Sequence, residues 1–315
     1  MKILIGALSL DDITYYVSNG ADEVYCGFTK IKNARPDTES FSEVSQVCEA
    51  IDITHQYKKK IFLAINDTTH PDHYHQIDQY LAKFIKHGLD GVIIKDTFLL
   101  DHFNRAGLRT YFILSCLAEC CNIQALDLYR QYGIARVVLP RHTLPEESLE
   151  MVRNKFNIET EVFFPPETFC RNTDGFCRLH AWKPIVSFLP CGMKFKQGKK
   201  DFWMPSRPLV DQLSNFYDFY KLGVPYLKIG RGNAIRKKAY FNQALDLLEL
   251  LGQKGMTRQI FMKKGLATFS RLPEHFTSEG VCTVGARDVS YTPEQIAYAT
   301  QVRGTATLAA FNDGE

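Results

Sequence analysis

The sequence lacks what would mark a secreted or membrane-embedded chain. No window approaches the ~20 apolar residues a membrane-spanning helix needs. The opening "MKILIGALSLDD" carries one lysine and an apolar run too short for a signal peptide. These absences lead to the expectation of a cytoplasmic protein with no membrane span, whose thiols stay reduced. Strong charge of one sign is also missing: 38 basic against 35 acidic residues leave +3, too mild to imply nucleic acid by itself. The chain has no G-x-S-x-G elbow, no H-E-x-x-H pair and no C-x2-C spacing. The first two absences lower a simple hydrolase reading, and the third weakens a zinc ribbon. No Pro- or Ser-rich linker divides the chain, so one domain is expected.

What is present is a soluble-protein composition, 45% hydrophobic and 23% charged, and nine cysteines. An odd number of thiols in a reducing compartment points to burial or metal binding more than to disulfides. Short β-branched runs alternate with amphipathic stretches from the first residue onward. "KILIGAL", "DEVYCGF", "KIFLAIN", "DGVIIKD", "LRTYFILSC", "ARVVLPR", "IETEVFFPP" and "PYLKIGRG" read as eight strands. Between them lie helical patterns opened by cap signals such as Ser9 and Asn122, and by Pro145 near a first turn. Nearly continuous apolar strands separated by helices indicate a parallel sheet covered on both faces. Eight such units over about 250 residues match a (β/α)8 barrel, with a doubly wound open sheet as the alternative. The barrel is assigned to residues 1–253, and 254–315 to a C-terminal extension packed on it.

One connection breaks the alternation. Roughly forty irregular residues separate the seventh strand from its helix, where a βα loop usually has about 2–6. They leave from a C-terminal strand end, the face on which barrel active sites sit. This connection holds Cys170, Cys177 and Cys191, and the basic run "KFKQGKK" (194–200) with Phe195, Phe202 and Trp203 interleaved, an anion surface or a solvated loop.

The stretches "GADEVYCGF", "NAR" (33–35), "AINDTTHPDHY", "GLDGVIIKD", "ARVVLPR", "EVFF…FC…GFC" and "LKIGRG" follow one another in this order. Together they resemble the collagenase-like peptidase family of unassigned mechanism, most closely its ubiquinone-biosynthesis accessory branch, over about residues 1–245. The resemblance implies a barrel, a [4Fe–4S] cluster on cysteines after the seventh strand, and a part in oxygen-independent hydroxylation. It also implies a possible heterodimer with a related chain. Cys170 and Cys177 match the first two cluster cysteines and Cys191 the last, while the cysteine usual between them is missing. Gly230 stands where many relatives carry an acid.

An iron–sulfur cluster takes four thiolates, so a fourth must come from another loop. Cys120 and Cys121, late in "SCLAECCN" after the fifth strand, are the expected donors, with Cys26 a further candidate. Zinc is the alternative metal. Cys48, Cys116 and Cys282 are expected to be buried packing residues. His70, His73 and His75 belong to a helix start and do not share a helical face, so no histidine metal site is expected.

At strand ends on the catalytic face stand Asn33, Arg35, Asn66, Asp96, Arg141, Glu161, Lys228 and Arg231. Glu161, Arg141 and Lys228 are the catalytic candidates, and the others are substrate-binding candidates. Arg35, Arg141 and Arg231 have the forked geometry that grips carboxylates and phosphates. Glu161 lies inside a strand, a costly place for a charge unless Lys228 or an arginine pairs with it. The leading functional expectation is an iron–sulfur barrel taking part in oxygen-independent hydroxylation of a carboxylated, aromatic or nucleotide-containing substrate. The alternatives are a collagenase-like peptidase cleaving a peptide in the same cleft and a zinc-bound scaffold.

Overall fold

The computed structural model describes residues 1–35, 37–165, 194–197, 200–203, 209–230 and 234–269. Eight parallel strands close into a barrel: β1 (Lys2–Gly6), β2 (Glu23–Cys26), β3 (Lys60–Ile65), β4 (Gly91–Ile94), β5 (Tyr111–Leu114), β6 (Ile134–Val138), β7 (Glu159–Phe163) and β10 (Tyr226–Ile229). Going round the wall the order is β1, β10, β7, β6, β5, β4, β3, β2, so every strand is paired on both sides and no edge remains. Closure is completed by β10 against β1, with Leu227 beside Ile3 and Ile229 beside Ile5. The eight runs read from the sequence are these eight strands, and the (β/α)8 expectation holds.

The helices are α1 (Leu10–Ser18), α2 (Val44–Gln56), α3 (Tyr74–His87), α4 (Thr97–Arg105), α5 (Ile123–Arg130), α6 (Leu149–Val152), α7 (Leu209–Leu222), α8 (Ala234–Gly252) and α9 (Arg258–Phe269). Local chemistry sets their ends. The Ser9 hydroxyl accepts from the N–H of Asp12, and the Asn122 side chain accepts from the N–H of Ala125. Glu43 and Gln46 form a reciprocal capping box at α2. Gly88 ends α3 with φ +115°, a conformation in which L side chains are strained.

Alternate strand residues separate two cores. Outward residues such as Ile3, Val24, Ile61, Val92, Phe112, Val137, Val162 and Leu227 meet the helices in one large apolar layer. Inward residues Leu4, Tyr25, Phe62, Ala64, Ile93, Ile113 and Val138 fill the lumen. The wall is tightest at Gly91, where a Cβ would lie 2.2 Å from the Tyr111 carbonyl oxygen.

Two elements differ from the sequence reading. Within the long connection, β8 (Lys194–Gln197) and β9 (Lys200–Trp203) form an antiparallel hairpin where irregular chain was expected. The helix expected after Pro145 is a single turn, α6. Beyond residue 253, α9 packs on α7 and α8 through buried Phe261, Gly265 and Phe269. Gly265 occupies the middle of that face because Leu247 approaches to 3.2 Å of where its Cβ would stand. A glycine at the contact hides the apolar stripe, so this helix is silent in the sequence pattern.

Candidate active site

The lumen is not wholly apolar. β2, β6, β7 and β10 each send a charged side chain inward, and the four meet in a continuous network. Arg136 grips Glu23 with two parallel bonds, Nη1 to Oε2 at 2.6 Å and Nη2 to Oε1 at 2.9 Å. The same Nη1 donates to Glu161 Oε2 at 2.9 Å. The other oxygen of Glu161 accepts from Lys228 Nζ, also at 2.9 Å. Glu161 is 0% exposed, Arg136 1%, Glu23 3% and Lys228 6%. Two cations balance two anions, which is the condition for burying charge at all.

Aromatic rings line this network. The Arg136 guanidinium lies 3.3 Å from the Tyr226 ring centroid, with the Tyr111 and Phe62 rings at 5.4 and 5.6 Å. Lys228 Nζ stands 4.7 Å from the Tyr25 ring centroid. Toward the strand N-termini the Tyr226 hydroxyl donates to Glu159 at 3.1 Å, and the Tyr111 hydroxyl donates to the other Glu159 oxygen. Arg136 Nε is buried without a hydrogen-bond partner, 3.9 Å from that second oxygen.

Electrostatics follows from the packing. Burial by itself would raise the Glu161 carboxyl, but Lys228 and Arg136 outweigh it and hold the group below the usual carboxylate range. Glu23 goes the other way: burial raises it, and Arg136 offsets only part of that effect. Burial is also the first cause for Tyr226, pushed up to about 12, with Glu159 and Glu23 adding to it and Arg136 opposing.

The sequence candidates separate into groups. Glu161 and Lys228 do meet, and the expected ion pair forms, with Arg136 as a second cation. Glu161 has no exposed surface, and its charged partners are Lys228 and Arg136. Arg141, in the loop after β6, lies with its guanidinium 5.2 Å from the ring centroid of Phe163, the last residue of β7. Asn33, Arg35, Asn66 and Asp96 belong to a rim formed by the loops after β2, β3 and β4. There Asn66 Oδ1 accepts from the Ala34 N–H, and Asp96 accepts from the Thr69 N–H while capping α4. Asn33 bonds Ile31 and Ser40 within its own loop, and Arg35 reaches Glu39 at 4.0 Å. Arg231, Cys170, Cys177, Cys191 and Cys282 lie outside the described residues.

The described cysteines take different places in the barrel. Cys120 was expected at the mouth, but it is fully buried in the apolar layer between strands and helices. There burial, with a smaller contribution from Cys121, pushes its thiol up to about 12. Cys120 therefore faces the helices, whereas Cys121 is half-buried in the loop after β5. Cys26 is fully buried in the helix-side layer, whereas Cys116, 5% exposed, faces the lumen. Cys48 is partly buried against the helix-side core. Among the described residues no three His, Cys, Asp or Glu side chains converge as a metal site.

Arg136, Glu23, Glu159, Tyr111 and Tyr226 were not singled out from the sequence. The available signal was a charge inside a strand: Arg136 in "ARVVL" and Glu23 in "DEVYC" violate the apolar run as Glu161 does.

Fold and lumen together define a (β/α)8 barrel protein with a charged, aromatic-lined interior. The profile described as Peptidase family U32 matches residues 8–264, and the chain belongs to that family. It is similar to tRNA hydroxylation protein P1 of Bacillus subtilis, 26% identical over 162 residues, which cover 51% of this chain and 38% of the relative. It is likewise similar to tRNA hydroxylation protein P of Escherichia coli, 26% identical over 186 residues, 58% of this chain and 39% of that one. The matched region thus spans under two fifths of either relative. Similar solved structures include a U32 peptidase (15% identity, TM-score 0.44, covering 52% of this chain and 68% of that one). Another is N-(5'-phosphoribosyl)anthranilate isomerase of Pyrococcus furiosus (10% identity, TM-score 0.43, covering 78% and 99%). Among the described residues, no helix is long and apolar enough to cross a membrane.

Proposed function

We propose that the chain takes part in an oxygen-independent hydroxylation, with an iron–sulfur cluster beside the C-terminal mouth of the barrel. The observation that carries this reading is the likeness to tRNA hydroxylation proteins in a chain whose β7–β10 connection holds three cysteines. Cys170, Cys177 and Cys191 would hold the cluster, and Cys121 is the fourth donor we favour. When bound, the cluster would supply electron exchange.

The chain's own residues bind and orient. Lys228 spends one of its three N–H donors on Glu161, which leaves two for a substrate oxygen. The Tyr25 ring beside it and the Phe163 ring under Arg141 offer flat apolar surfaces suited to a base or an aromatic ring. Two substrates fit this description. One is a tRNA nucleotide, as the relatives' names suggest, and the other is the ring of a ubiquinone precursor, as the motif resemblance suggests. A related chain serving as partner belongs to this reading, as the motif resemblance implies.

Anaerobic purification followed by visible absorption and iron and sulfide analysis tests the reading. We expect coloured protein with iron and sulfide, and loss of metal in Cys170→Ala but not in Cys48→Ala. Colourless, iron-free protein, or equal metal loss in both variants, overturns it. Mass spectrometry of tRNA and of quinone precursors from cells lacking the chain then separates the two substrates. The family's name keeps a peptidase as the second reading, and peptide turnover by metal-free protein would put it first.

A further inference from the structure

We infer that Arg136 is a positioning residue: it anchors the Glu161 carboxylate, and through it holds the Lys228 ammonium in a fixed place toward the C-terminal end of the lumen. The inference deepens the reading above, because it takes Lys228 as the group that meets the substrate.

Glu161 has one oxygen on each cation, Oε1 on Lys228 and Oε2 on Arg136, both at 2.9 Å. A carboxylate held at both oxygens cannot rotate without breaking a charged hydrogen bond in a site shut off from water. Arg136 is itself immobile. Glu23 holds two of its nitrogens, and the Tyr226 ring lies against its guanidinium plane. The line of contacts runs β2, β6, β7, β10 across the barrel, each link on a strand paired on both sides. Lys228 is therefore oriented before any ligand arrives, the arrangement in which a fixed charge does most for a reaction, since nothing must reorganise.

Charge counting gives the same result. The four buried charges Glu23, Glu161, Arg136 and Lys228 sum to zero, with the part-exposed Glu159 carboxylate, 3.9 Å from Arg136 Nε, outside that count. Without Arg136 the buried sum is −1, and two buried carboxylates compete for one ammonium. A residue that only filled space would be replaceable by methionine; one that only balanced charge would be replaceable together with Glu23. A positioning residue is neither.

The test uses the full chain without substrate, so a failure of the hydroxylation reading leaves its outcome untouched. Protein carrying ¹³C at the glutamate carboxyl carbon is followed by NMR, with the Glu161 signal identified by its loss in Glu161→Gln. In parallel, the rate of reductive methylation of Lys228 is measured by mass spectrometry. Arg136→Lys should keep a sharp Glu161 signal and a Lys228 rate within about twofold of wild type. Arg136→Met should broaden the signal and slow methylation by about tenfold, as two carboxylates close on the amine. Should that variant not fold, Glu23→Gln/Arg136→Met preserves neutrality and decides the question. We expect a broadened Glu161 signal and a Lys228 rate changed by more than about twofold. Wild-type behaviour in the double variant would overturn the inference, leaving Arg136 a charge balancer alone.

Discussion

The two cores of this barrel are made from alternate residues of the same eight strands, yet they obey different rules. The layer between strands and helices is mainly apolar, drawn from Ile3, Val24, Leu63, Val92, Leu114, Val162 and Leu227 on one side and Ile13, Ile51, Leu81 and Phe103 on the other. Any well-packed hydrophobic side chain of similar volume would serve there. The lumen instead buries Glu23, Arg136, Glu161 and Lys228. A network of that kind is costly to assemble and more costly to break at one member, because the charge left behind has no partner. The outer layer holds the barrel together; the inner one gives it a chemical identity.

That contrast is open to measurement. Removing Glu161 should have the largest effect: Glu161→Ala strands two buried cations and should cost about 3–5 kcal/mol in urea unfolding. A loss under about 1 kcal/mol would mean that the lumen charges act independently, and the contrast would collapse. In the outer layer, Leu81→Ala should cost about 3 kcal/mol through lost burial and the cavity it leaves. Its effect should add to that of Glu161→Ala, since the two cores share no partner. Gly91→Ala probes the wall between them and should cost about 1–3 kcal/mol. A Cβ there meets a backbone carbonyl, which cannot swing aside as a side chain would. An unchanged melting temperature would show that the wall is looser than it stands.

The smallest effect is on pH dependence. Glu161 is held below the usual carboxylate range in the fold, so its contribution is present above that range and lost as pH falls through the folded value. Glu23 is raised, so it works in the opposite sense, weakening the fold as pH rises through its own folded value. Melting curves from neutral to acid pH should therefore show a descending acid limb that Glu161→Gln makes shallower. A limb as steep in that variant would place the acid sensitivity elsewhere.

The barrel was legible because parallel strands covered on both faces read as apolar runs, and because Ser9, Asn122 and Gly88 mark helix ends by local chemistry. The same property hid the lumen. When both faces of a strand are apolar, alternation no longer tells which residues point inward. Glu161 drew attention as a charge in a strand, but nothing in "ARVVL" shows that Arg136 shares its face with Glu159 on the neighbouring strand. Only the pairing of the two strands does so, with Arg136 opposite Glu159 and Val138 opposite Glu161. The cysteines after β5 meet a related limit. Position in the chain suggested a shared destination for Cys120 and Cys121, yet Cys120 turns into the helix-side layer and its neighbour does not. Helix α9 escaped because its contact face carries Gly265, a residue that periodicity counts as nothing.

The floor of the lumen decides which of its charges meets water first. Tyr111 and Tyr226 close on Glu159 below Arg136, and Phe62 is buried alongside. The Glu159 side chain is 41% exposed and that of Arg136 1%, so the carboxylate faces solvent and the guanidinium lies behind it. Solvent approaching from that side meets a carboxylate and two phenol hydroxyls before it meets the cation.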